Sequence, residues 1–61
     1  MGERMLELNK RYRLIFKIGD ENLYYTGKII SLTNGFIEFL DKFNELITFK
    51  EDTLQSFSEV K

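Results

Sequence analysis

Whatever chemistry this 61-residue chain performs, it performs without histidine or cysteine, because it contains neither. Their absence removes the imidazole base, the thiolate nucleophile, disulfides, and zinc sites built on Cys and His. No serine stands in a nucleophile setting. The carboxylates include two adjacent pairs, Asp20-Glu21 and Glu51-Asp52. General acid–base work needs carboxylates held at a defined separation in a partly buried cleft. Both pairs fall in turn-forming stretches, where acids are solvated. Neither belongs to the spaced Asp-x-Asp-x-Asp pattern of a calcium loop. The chain therefore reads as a non-enzyme, with no metal site and no cofactor.

The remaining chemistry is that of cations and rings. Lys10, Arg11 and Arg13 flank Tyr12, and such a group can pair cations with phosphate while an aromatic stacks on a base. Strand alternation sets Tyr12 on one face with Leu14 and Phe16, so Tyr12 is expected in the core and the cations on a solvated face. Tyr24-Tyr25 puts one ring on each face of its strand. One is expected in the core, and the other serves as a stacking platform or packs on a neighbour. The net charge is −1, which supplies no bulk attraction to nucleic acid or anionic lipid; a nucleic-acid site must be a local patch.

These residues need elements to hold them. Tyr12, Leu14, Phe16 and Ile18 alternate with Arg11, Arg13 and Lys17, which predicts a half-buried strand over 11–18. The cluster 19–22 predicts a turn, and 23–33 a second, long strand, with Gly27 marking a bulge or sharp bend. Asn34-Gly35 is a strong hairpin signal, since both residues tolerate the positive φ of a type I′ turn. A third strand is expected over 36–41, a loop over 42–45 and a fourth strand over 46–50. One helical turn follows at 51–53, with Asp52 able to cap it, then a fifth strand over 55–60. Met5, Leu8 and Tyr12 at i, i+3 and i+7, with Glu7 four before Arg11, predict a short N-terminal helix over 2–10. The expected fold is all-β: one domain, residues 1–61, forming a five-stranded, strongly bent, SH3-like or Sm-like small barrel over 11–60.

A domain of this size buries only about 60% of its unfolded surface. Apolar residues nevertheless make up 43% of the chain, which argues against disorder. Leu14, Phe16, Ile18, Ile29, Ile37, Phe39, Ile47, Phe49 and Leu54 can fill one interior. Ile15, Ile30, Phe36, Leu40, Phe43, Leu46, Phe57 and Val60 are then left outside or at edges. That surplus predicts a homo-oligomer joined through unpaired edge strands, with Leu46, Thr48, Phe57 and Val60 at the contact. No apolar run approaches the ~20 residues of a membrane helix, and residues 1–8 lack the apolar core of a signal peptide. A cytoplasmic location is the default expectation.

Several stretches resemble the Sm-like family, especially its bacterial Hfq type. Tyr25-Thr26-Gly27-Lys28-Ile29-Ile30-Ser31-Leu32 is similar to the family's second strand and Phe36-Ile37-Glu38-Phe39-Leu40-Asp41 to the third. Ile47-Thr48-Phe49-Lys50-Glu51-Asp52-Thr53-Leu54 resembles its second motif, an aromatic-basic pair followed by a turn and the apolar opening of the last strand. The resemblance implies a ring of six or seven subunits, closed by pairing the fourth strand of one with the fifth of the next. It also implies single-stranded RNA at the loops around the pore. By position, Asn34 and Phe36 would lie at the base-contacting loop, with Phe36 as a stacking ring. Phe49 and Lys50 would match the aromatic-basic pair, with Lys50 on phosphate. The alternative is an SH3-like protein-interaction or assembly module with no nucleic-acid role.

Overall fold

Alternation writes itself directly into strands. The computed structural model describes residues 5–60. It contains β1 (Arg11–Ile18), β2 (Glu21–Thr33), β3 (Phe36–Asp41), β4 (Leu46–Lys50), a 3-10 turn (Glu51–Thr53) and β5 (Leu54–Glu59). All pairings are antiparallel in one five-stranded sheet, in the order β4-β3-β2-β1-β5. Among the described residues no helix is long and apolar enough to cross a membrane.

The two hairpin turns follow from local chemistry. Ile18 pairs with Glu21 across Gly19-Asp20, and only Gly19 takes a positive φ, +62°. β2 therefore starts two residues earlier than the acidic cluster led us to expect. Thr33 pairs with Phe36 across Asn34 (φ 54°) and Gly35 (φ 78°), the double left-handed conformation of a type I′ turn.

β2 changes partner midway. Residues 21–28 pair with β1, whereas residues 27–33 pair with β3. The hand-over occurs at Gly27, where a Cβ would sit 2.5 Å from Phe39 Cδ2 and 2.6 Å from the Leu40 carbonyl oxygen. Only glycine lets the two strands approach so closely at the bend. A register shift between Ile29 and Ser31 adds a bulge just beyond it.

The core is Tyr12, Leu14, Phe16, Ile29, Ile37 and Phe39. The Phe16 ring stacks on Phe49 at 4.2 Å and on Phe39 at 5.9 Å, and Tyr25 meets Phe39 and Phe49 at 5.5 Å each. Tyr12 is buried, as its alternation demanded.

Several expectations are corrected. The sheet is curled but not closed: β4 and β5 are its two edges and do not pair with each other. Three residues nevertheless carry the chain from one edge strand to the other. At no more than about 3.6 Å per residue, that link keeps the strand ends near one another and forces strong curvature. The helix is absent over residues 5–10, and residues 2–4 lie outside the described region. The backbone of residues 5–10 is committed elsewhere. Glu7 N–H donates to the Tyr12 hydroxyl at 2.9 Å, Asn9 N–H to the Ile29 carbonyl at 2.8 Å, and Lys10 accepts from Ile29 N–H at 3.0 Å. Asn9 itself is left-handed, with φ 69°, which no α-helix accommodates. Asp52 caps nothing; the 3-10 turn has no side-chain cap at its start, and Thr53 Oγ1 donates back to the Lys50 carbonyl at 2.7 Å. Ile18, expected inside, is exposed because the β1–β5 pairing stops at Phe16 and leaves the end of β1 uncovered.

Candidate nucleic-acid interface

Asn34, Phe36 and Lys50 come together although Lys50 lies far from the other two in sequence. The type I′ turn presents Asn34, and β3 begins with Phe36 directly opposite Lys50 of β4. Glu51 N–H donates to the Gly35 carbonyl at 2.7 Å and ties the 3-10 turn to the hairpin tip. Asn34, Gly35, Phe36, Lys50, Glu51 and Asp52 line one open hollow. Phe36 keeps 43% of its surface in solvent, enough to offer a ring face. Phe49 is different: alternation turns it inward onto Phe16, so its ring belongs to the aromatic stack. Glu51 and Asp52 oppose Lys50 within the hollow, so a phosphate there meets one cation and two acids.

The expected interface residues separate into two groups. Leu46 and Thr48 stand exposed on the edge strand β4, Thr48 donating to Glu38 Oε2 at 3.5 Å. Phe57 instead turns in from β5 to meet Tyr12 edge-on at 5.7 Å, which half-buries it. Val60 is half-buried, with its N–H donating to the Arg11 carbonyl at 2.9 Å.

Charge segregates by strand face. On the outward side of the β1–β2 ribbon, Arg11 faces Lys28, Arg13 faces Thr26, Ile15 faces Tyr24 and Lys17 faces Asn22. No acid stands among them. Lys10 is excluded from this group: its ammonium lies 3.3 Å from Glu7 Oε1 and 3.8 Å from Glu59 Oε2. The hydrogen bond to Glu7 and the charge of Glu59 hold its pKa above the usual lysine value. Among the described residues, no three His, Cys, Asp or Glu side chains converge as metal ligands would.

A second depression escaped sequence reasoning. Arg13, Ile15, Tyr24 and Thr26 meet Asp41 at the end of β3 and Lys42 and Phe43 of the β3–β4 loop around a groove of about 370 Å³, within the usual size range of ligand pockets. Asp41 organises that loop. Its Oδ1 accepts from Phe43 N–H at 2.8 Å and from Glu45 N–H at 2.9 Å, while its carbonyl accepts from Asn44 N–H at 3.0 Å. Lys42 Nζ sits 5.5 Å from the Phe43 ring centroid. Tyr24 and Phe43 each keep 71% of their surface exposed. The sequence left Phe43 as a surplus ring and did not choose between Tyr24 and Tyr25 for the outer face; only the pairing of Gly27 with Asp41 brings Tyr24 and Phe43 to one groove. Set against family models, curated proteins and solved structures, the chain matches none.

Proposed function

We propose that this chain is an Sm-like oligomeric protein that binds single-stranded RNA at the hairpin-tip hollow. The observation that carries the reading is the convergence of Asn34, Phe36 and Lys50 in one open hollow. Phe36 offers a face for a base, Lys50 a charge for phosphate, and Asn34 amide donors and acceptors for a base edge. Assembly rests on the two unpaired edges. β4 and β5 carry no proline, and β4 exposes Leu46. Pairing β4 of one copy with β5 of the next would complete the barrel between subunits and generate a ring if the rotation closes.

The test is anisotropy of labelled oligo-A and oligo-U at low and moderate salt, with light scattering on the same samples. Binding that weakens steeply with salt is expected, as is a mass several times that of one chain. Silence at low salt removes the RNA reading, and a stable monomer at micromolar concentration removes the ring. Lys50→Ala should weaken binding while leaving the fold intact; unchanged affinity would move the site away from the hollow. A second reading, an SH3-like assembly module without nucleic acid, draws on the two acids beside Lys50. It predicts the oligomer without the RNA.

A further inference from the structure

The first half of β2 has a free side. Residues 21–26 pair with β1 alone; β3 joins only from Gly27 onward, and no turn or loop bond among the described residues fills the gap. Every second residue of this stretch therefore turns backbone groups toward an empty strand position. Glu21-Asn22-Leu23-Tyr24-Tyr25-Thr26 contains no proline or lysine to guard that edge, and its Tyr and Thr residues favour extended backbone. The groove between Tyr24 and Phe43 opens beside it.

We propose that this edge is a docking site for an acidic, extended segment of a partner protein, which adds a short strand alongside residues 21–26. Three features select this occupant. The free main-chain groups ask for another backbone at strand spacing, which a peptide supplies and a polynucleotide does not. Tyr24 and Phe43 offer apolar contact to an alternate side chain of the incoming strand. The groove carries Arg13 and Lys42, and the neighbouring outer face adds Arg11, Lys17 and Lys28. Against these five cations stand Asp41 in the groove, its Oδ1 held by its own loop, and Glu21 at the start of the edge. The surplus positive charge calls for carboxylates. The site is independent of the RNA reading: it uses a different edge, different rings and a different ligand.

The experiment titrates the full chain with the peptide Ac-Asp-Val-Glu-Phe-Glu-Val-amide, following backbone amide shifts and hydrogen exchange by NMR. Amides within 21–26 should shift and gain protection. A lysine-for-acid version of the peptide should bind at least about tenfold more weakly, and so should a version N-methylated at alternate residues. Tyr24→Ala and Phe43→Ala should each weaken binding about fivefold or more with the melting temperature unchanged. No binding at millimolar peptide would overturn the proposal. So would equal binding of the N-methylated peptide, because no strand would then be added, or of the lysine peptide, because charge would then play no part. Displacement of the peptide by oligo-U with the same amides affected would assign the groove to nucleic acid instead.

Discussion

The two halves of β2 share one continuous strand yet live in different surroundings. Residues 28–33 have β3 on one side, and Ile29 is also held by Asn9 and Lys10 on the other. Residues 21–26 have β1 on one side and, among the described residues, no paired strand on the other. Ile29 is wholly buried, whereas Tyr24 is largely in solvent. The difference lies in partners rather than in composition, since both halves are rich in β-forming residues. A strand half with neighbours on both sides is part of the scaffold; a half with one neighbour keeps its outer backbone edge and the Tyr24 ring available, while Tyr25 still packs into the aromatic stack.

That contrast can be broken from its stable side first. Phe39→Ala removes a fully buried ring from the stack beside the second half and should cost about 3–5 kcal/mol. A chain of this size has only about 3–9 kcal/mol of stability in hand, so urea titration should find the variant unfolded or nearly so. A loss under about 1 kcal/mol would mean that the stack does not anchor the sheet. Gly27→Ala strikes the boundary between halves. Its methyl would press on the Leu40 carbonyl as well as on Phe39, and because backbone cannot swing aside, a loss of about 1–3 kcal/mol is expected. No change would show that the bend does not depend on close approach.

Asp41→Ala tests the loop that borders the open half. Two N–H groups lose their acceptor, but both are exposed and water can replace it, so the loss should be about 1 kcal/mol. The clearer readout is faster exchange at the Phe43 and Glu45 amides; unaltered exchange would mean that the loop holds its shape unaided. The smallest effect is expected within the open half itself. Tyr24→Ala should leave stability within about 0.5 kcal/mol of the parent. A larger loss would place Tyr24 in the scaffold and erase the distinction between the halves.

Much of this arrangement was readable in the residues. β1, β3 and β4 follow from core apolar residues at every second position, and the tight turn at Asn34-Gly35 from two residues that accept positive φ. Local signals failed where distant strands decided the outcome. Met5, Leu8 and Tyr12 have helical spacing, but Tyr12 belongs to β1 and Asn9 bonds to Ile29 far along the chain. Phe57 does lie on an edge strand, but its ring turns inward because its partner, Tyr12, lies far away in the sequence. The hollow was half legible: Asn34 and Phe36 are near neighbours, while Lys50 joins them through β3–β4 register. Phe49 was named with Lys50, yet the strand's own pleat sends adjacent residues to opposite faces. The Tyr24–Phe43 groove was not legible, since it needs the change of partner at Gly27.

The pairing of β1 with β5 sets the order in which the molecule can be completed. β1 is the first of the five strands to be made, and its outer partner β5 is the last of the five. Tyr12 therefore has no Phe57 to close over it until β5 has been made. β1 through β4 can meander into place through short loops, whereas seating β5 must close a loop of nearly the whole chain. Folding thus stays incomplete until β5 is available to pair with β1, and during that interval the apolar side of β1 stands open to other chains.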